Sequence, residues 1–158
     1  MRGQSAVVDV EDIMVSVRHT AAVELSALLL TAQGRVRDAA GLVFYNQPLG
    51  PGVRLAAGSP GGPSPLEIAL HMVPVGIDYV RVVIALDDQQ DHLGDYPAPL
   101  VWIADSAGNV LYECVIEGLG GEATVVAVDL DRAETGGWSV LSATVTAVVS
   151  PLWSPPTA

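Results

Sequence analysis

Four carboxylates fall within a single short stretch: Asp87, Asp88, Asp91 and Asp95, with His92 among them. Clustered carboxylates supply hard oxygen ligands, which favour calcium or magnesium over zinc. The spacing is not that of a helix–loop–helix calcium loop, so the same run also reads as a solvated acidic loop. Asp105 and Asn109 bracket Ser-Ala-Gly, and these residue types are what a hairpin turn requires. Asp129 and Asp131 flank Leu130 at the end of a strand pattern and read as surface groups. His19, His71 and His92 are dispersed in the sequence. The lone Cys114 permits neither an internal disulfide nor a multi-cysteine zinc site. No base or cation lies beside it to generate a thiolate, so it reads as a packed, inert thiol. Gly118, Gly120 and Gly121 are followed by no lysine and no helix start, which excludes a phosphate cradle.

The basic residues sharpen these exclusions. All seven are Arg, and the chain has no Lys, so Schiff-base chemistry and phosphate-loop chemistry are closed to it. No Gly-x-Ser-x-Gly or His-Glu-x-x-His pattern occurs, and no enzyme is expected. The net charge of −11 is unevenly placed. Residues 1–60 balance five Arg against five acids, whereas residues 61–158 set two Arg against thirteen. Such a surface repels phosphate backbones, so nucleic acid is not an expected partner; a divalent cation or a basic protein is a better match. Solubility alone is the plainer explanation of the same charge.

These groups must be positioned by strands. The 158 residues, half of them apolar with a mean hydropathy of +0.42, suffice for one domain with its own core. The dominant hydrophobic period is two. Leu66, Ile68, Leu70 and Met72 share one face; Val80, Val82, Ile84 and Leu86 share another. Leu100–Ala104 and Asn109–Ile116 predict a β-hairpin. In its second strand Val110, Tyr112, Cys114 and Ile116 should face one way, with Cys114 buried. Further strands are expected at 13–17, 23–31, 42–46, 53–57, 122–130 and 138–149. The Ala- and Leu-rich run 23–31 is the one whose propensity also permits a helix. Residues 48–65 and 87–99 read as long loops. Many short strands with Gly/Pro turns predict an all-β, two-sheet antiparallel sandwich. Its expected limits are 13–150, preceded by an arm over 1–12 and followed by a Pro-rich tail over 151–158. No run approaches a membrane span of about 20 apolar residues. Asp9, Glu11 and Asp12 stand where a signal core would lie, so a cytoplasmic protein is expected.

The run Glu24-Leu-Ser-Ala-Leu-Leu-Leu, then Gly34-Arg-Val-Arg, then Leu42-Val-Phe-Tyr-Asn-Gln-Pro48 resembles the TerD family of tellurium-resistance and stress-response proteins. The likeness continues through Val73-Pro74, the strand ending at Asp87-Asp88, Leu93-Gly94 and Gly137-Trp138. It covers roughly residues 13–149, and Val-Phe-Tyr-Asn-Gln-Pro is its most specific part. The resemblance implies a two-sheet β-sandwich, a calcium-binding and non-enzymatic domain, and partners among other stress-response or TerD-like proteins. It places Trp138 in the core. Within that frame Asp88, with Asp87, Asp91 and Asp95, becomes a residual divalent-cation site, completed by Asn46 and Glu24 from neighbouring loops.

Departures from the family pattern weaken that site. Family acids are matched here by Ala39 and Gly41, and an acidic family stretch by Gly58–Pro65, which holds no carboxylate. Calcium takes six to eight oxygens, so weakened or lost binding is expected. Two rival readings remain. One is a structural subunit that meets a protein partner through its acidic face or a sheet edge; Trp153 of the tail reads equally as an exposed contact or as folded back on its own domain. The other, less favoured, is a metal-dependent enzyme.

Overall fold

A computed structural model describes residues 5–58 and 63–142. Twelve strands, numbered in chain order, make up the described part. They are β1 (Ser5–Val8), β2 (Asp12–Arg18), β3 (Val23–Leu30), β4 (Leu42–Val43), β5 (Leu49–Gly50) and β6 (Val53–Leu55). Then come β7 (Leu66–Ala69), β8 (Tyr79–Leu86), β9 (Leu100–Asp105), β10 (Val110–Val115), β11 (Thr124–Arg132) and β12 (Trp138–Ser142). They form two six-stranded sheets, ordered β1-β12-β11-β8-β3-β4 and β10-β9-β2-β7-β6-β5. The strand pairs are antiparallel, and the described residues contain no α-helix. The all-β sandwich read from the two-residue period is the observed architecture.

Alternation explains the core. Ile13, Val15 and Val17 of β2 and Val101 and Ile103 of β9 point inward from the second sheet. They meet Leu25 and Leu29 of β3 and Val80, Val82 and Ile84 of β8 from the first, in one continuous cluster. Trp138 is buried with them. At about 25 cal/mol per Å² of apolar area, burying each such side chain contributes about 1.5–3 kcal/mol.

β3 is buried on both faces. Its outward residues Leu28 and Leu30 join Val83 in a second small cluster, covered by Val36 of the β3–β4 connection and Leu42 of β4. Double burial, rather than propensity, makes this Leu-rich run a strand.

Several expectations need correction. The face Leu66–Met72 is not one strand: β7 ends at Ala69, residues 70–72 form a 3₁₀ turn, and Met72 is 61% exposed. The expected strand over 42–46 stops at Val43, because Tyr45 and Asn46 form the tip of a tight turn closed by the pair Phe44–Gln47. Residues 48–65 carry two strands, β5 and β6, rather than one. Segment 5–8, read as part of an arm, pairs with β12. In β10 a bulge between Val110 and Tyr112 shifts the register. Val110 is therefore exposed, while Tyr112, Cys114 and Ile116 pack on the core. Cys114 is half-buried rather than buried, because β10 is the edge of its sheet. Trp153 and the expected strand beyond residue 142 lie outside the described residues.

Candidate functional site

The acidic segment leaves β8 at Leu86. Two backbone bonds fix its departure: Leu86 N donates to Ala123 O (2.8 Å) and Asp87 N donates to Ala22 O (3.0 Å). Asp87 is thereby held against the start of β3, where Glu24 stands opposite Ala85. Glu24 and Asp87 are hydrogen-bonded side chain to side chain. Partial burial of Glu24, together with the bond to Asp87 and the charge on it, pushes the Glu24 carboxyl up to about 7. The Glu24 carboxyl therefore holds its proton to a higher pH than a solvated carboxyl does.

The next acids are turned back on their own loop. Asp88 Oδ1 accepts from Gln90 N (2.9 Å). Asp91 Oδ1 accepts from His92 N (2.9 Å), and Asp91 Oδ2 accepts from the Tyr96 hydroxyl. These bonds, the one from Tyr96 first, hold the Asp91 carboxyl below the usual carboxylate range and raise the Tyr96 phenol. Asp95 lies in a 3₁₀ turn, Leu93–Asp95, whose backbone is fastened to the segment before β11. Leu93 N donates to Glu122 O and Gly94 N to Gly120 O, each at 2.8 Å. A Cβ on Gly94 would lie 2.6 Å from the carbonyl oxygens of Leu119 and Gly120, so only glycine permits this approach.

Asn46 is at the exposed tip of the Phe44–Gln47 turn and makes no hydrogen bond to the acidic loop. The structure therefore brings Glu24 to Asp87, gathers Asp88, Asp91 and Asp95 around Tyr96, and leaves Asn46 apart. Among the described residues no three His, Cys, Asp or Glu side chains converge as a metal-holding group. A calcium ion of the kind the family resemblance implies needs six to eight oxygens at 2.3–2.6 Å. The described side chains do not assemble that shell: Glu24 and Asp87 bond to each other, and the Asp91 oxygens are both engaged by the loop.

His19, read from the sequence only as one of three dispersed histidines, and Tyr96 complete this end of the sandwich. The His19 ring meets Tyr96 edge-on, with centroids 5.5 Å apart and an interplanar angle of 65°. His19 Nδ1 accepts from Ala21 N (3.1 Å), and its Nε2 is buried without a hydrogen-bond partner. No spacing signal could have found this pair, since 77 positions separate the two residues along the chain. Asp129, expected as a plain surface acid, is instead held by both arms of the Arg81 fork, at 2.9 and 3.0 Å.

The TerD domain model matches residues 5–145. The crystal structure of a homologue of telluride resistance protein (TerD), SCO6318 from Streptomyces coelicolor A3(2), is similar with a TM-score of 0.69. It is 16% identical over 90% of this chain and 93% of that one. The crystal structure of a protein of unknown function, SAV2460, is similar with a TM-score of 0.63 and 15% identity, over 87% of this chain and 91% of that one. At such identities the two structures bear on the fold alone. No curated protein matches the sequence.

Proposed function

This chain belongs to the TerD domain family, and on that premise we propose that it is a non-enzymatic binding module of a tellurite or general stress-response system, with calcium affinity weakened or lost. The observation that carries the reading is the state of the acidic end. Glu24 and Asp87 are hydrogen-bonded to each other, and both Asp91 oxygens accept bonds within the loop, from His92 N and the Tyr96 hydroxyl. Calcium takes six to eight oxygens, and among the described residues no three carboxylates converge to offer them. The absence of Lys and of nucleophile and phosphate-loop motifs supports binding rather than chemistry. Its expected partners are other stress-response or TerD-like proteins in the cytoplasm. No helix among the described residues is long and apolar enough to cross a membrane.

Calorimetric titration of the purified protein with calcium tests the metal part. An affinity no tighter than about 10⁻⁴ M is expected, as for weak modules; submicromolar binding would overturn it. Deletion of the chain from its host tests the rest. Reduced tolerance of tellurite or of another stress is expected, and unchanged growth under tellurite, oxidant and acid would reject the role.

The alternative reading, a subunit of a larger assembly, has one observation in its favour. Among the described residues β10 is a sheet edge, and Val110, Leu111 and Val115 on it are 57%, 40% and 50% exposed. An unpaired edge with apolar side chains invites strand addition. A mass by light scattering above that of the 16.4 kDa monomer, lost on Leu111→Lys, would favour it.

A further inference from the structure

Among the described residues the two sheets end on β1 and β4 and on β10 and β5. β1 has four residues and β4 and β5 two each, against six in β10. Soluble proteins blunt their sheet edges with Lys, Pro or brevity. β10 holds neither residue and is the longest of the four. Its register says which backbone groups face outward. Ile116 N donates to Pro99 O (3.0 Å), one step beyond the pair Val115–Leu100. In an antiparallel ladder alternate residues turn both amide and carbonyl to the same neighbour. Ile116 and Cys114 therefore bond to β9, while Glu113 and Val115 point their amides and carbonyls away from it, to a side that no described strand covers. The bulge between Val110 and Tyr112 ends this regular stretch.

The side chains follow the same alternation. Tyr112, Cys114 and Ile116 pack on the core, so Glu113 and Val115 stand on the outer face, and both are exposed. Glu113 lies opposite Trp102 and makes no hydrogen bond or ion pair with any described residue. Glu117, just past the strand, is exposed as well. Arg18 stands two strands over, opposite Leu100 on β2, about 10 Å from Val115 at the spacing of neighbouring strands. Charge selects what can be added here. A second copy is a poor match: laid antiparallel with its outer face outward, it sets Glu113 against Glu113 or against Val115, and each chain carries a net charge of −11. Like charges directly opposite destabilise a strand pair, whereas opposite charges and apolar pairs stabilise it.

We propose that β10 takes up an extended segment of a partner protein as an added strand, with a Lys or Arg of that segment opposite Glu113 and an apolar residue opposite Val115. This rests on the reading of the chain as a protein-binding module and names the chemistry of its partner. Main-chain bonds to Glu113 and Val115 supply affinity, and the alternating side chains supply selectivity. The edge belongs to the sheet opposite the one that carries Glu24 and Asp87, so the contact is independent of calcium.

The test uses the full chain and two fluorescein-labelled peptides, Thr-Val-Thr-Lys-Thr-Val-Thr and Thr-Val-Thr-Glu-Thr-Val-Thr, read by anisotropy. In the free chain, hydrogen exchange should find the amides of Glu113 and Val115 fast and those of Cys114 and Ile116 slow. The Lys peptide should bind saturably and at least fivefold tighter than the Glu peptide, more weakly as salt is raised, and should slow exchange at Glu113 and Val115. Glu113→Lys should reverse the order of the two peptides. Val115→Pro removes an outward amide and leaves the bonds to β9 in place, so it should abolish binding of both peptides with the melting temperature retained. The Glu113 variant, a change at an exposed side chain, keeps the test decisive if the Val115 variant fails to fold. Slow exchange at Glu113 and Val115 in the free chain, no saturable binding, an unchanged peptide order in Glu113→Lys, or a light-scattering mass of two chains that Val115→Pro abolishes would overturn the proposal. A calcium-independent stress phenotype in the deletion strain would leave the module reading standing when the edge fails.

Discussion

The guanidinium of Arg132 lies 4.5 Å from the centroid of the Trp138 ring, and the two residues are cross-strand partners at one end of β11 and β12. The same guanidinium reaches the turn before β8: Nε donates to Ile77 O (3.0 Å), and Nη2 donates to Val73 O and Pro74 O (3.1 Å each). One planar fork thus ties three backbone carbonyls to a core tryptophan, a geometry that a point-charge ammonium cannot copy. Arg132→Ala should lower unfolding stability by about 2–3 kcal/mol, combining charged hydrogen bonds with a cation–π contact. Arg132→Lys should recover less than half of that. Urea unfolding followed by tryptophan fluorescence measures both.

Glu24 predicts a pH dependence. Its carboxyl titrates near 7 in the folded chain, against about 4.5 in the unfolded one. Between these values the native state binds more protons, so this group's contribution is fully present below about 4.5 and is lost as pH rises through 7. Glu24→Gln, which keeps a hydrogen-bonding partner for Asp87 without the second charge, should raise the melting temperature at pH 8 and change it little at pH 4.5. Melting curves of the two proteins at both pH values check the sign.

Calcium binding the folded state at a Kd of about 10⁻⁴–10⁻³ M would stabilise by about 0.4–1.4 kcal/mol at 1 mM. The variant of choice is Asp87→Asn rather than a change at Asp91. Loss of Asp91 would also release Tyr96 and His92, and so confuse metal with loop. Asp87→Asn should remove whatever melting shift separates chelator from 1 mM calcium.

Gly94→Ala should cost about 1–3 kcal/mol, because the new methyl would overlap two backbone carbonyls that cannot swing aside. Hydrogen exchange should then show the amides of Leu93 and Gly94 losing protection before those of β8 and β11.

Cys114 offers a check on the β10 register. Burial pushes its thiol up, with a bond from Tyr112 opposing that in part. A thiol reagent at pH 8 should therefore label native protein about tenfold or more slowly than urea-unfolded protein. Equal rates would place Cys114 on the outer face.

The two-sheet sandwich was legible in the sequence because alternation is local: Val80, Val82, Ile84 and Leu86 announce a buried face whatever lies across from it. The hairpin at Asp105–Asn109 and the core role of Trp138 were legible too, from turn chemistry and from the family resemblance. The clustering of Asp87, Asp88, Asp91 and Asp95 was visible as spacing. Tertiary structure decided which of these groups meet and how they are used. Glu24 joins Asp87 because β3 pairs with β8 in one particular register, and Asp91 turns away because Tyr96 folds back over it beside His19. The bulge in the β9–β10 hairpin that exposes Val110 is likewise a matter of strand register rather than of pattern. A strand's pattern tells which residues face the core. Which strand lies beside it, and in what register, is set by loop lengths and packing that no window of sequence contains.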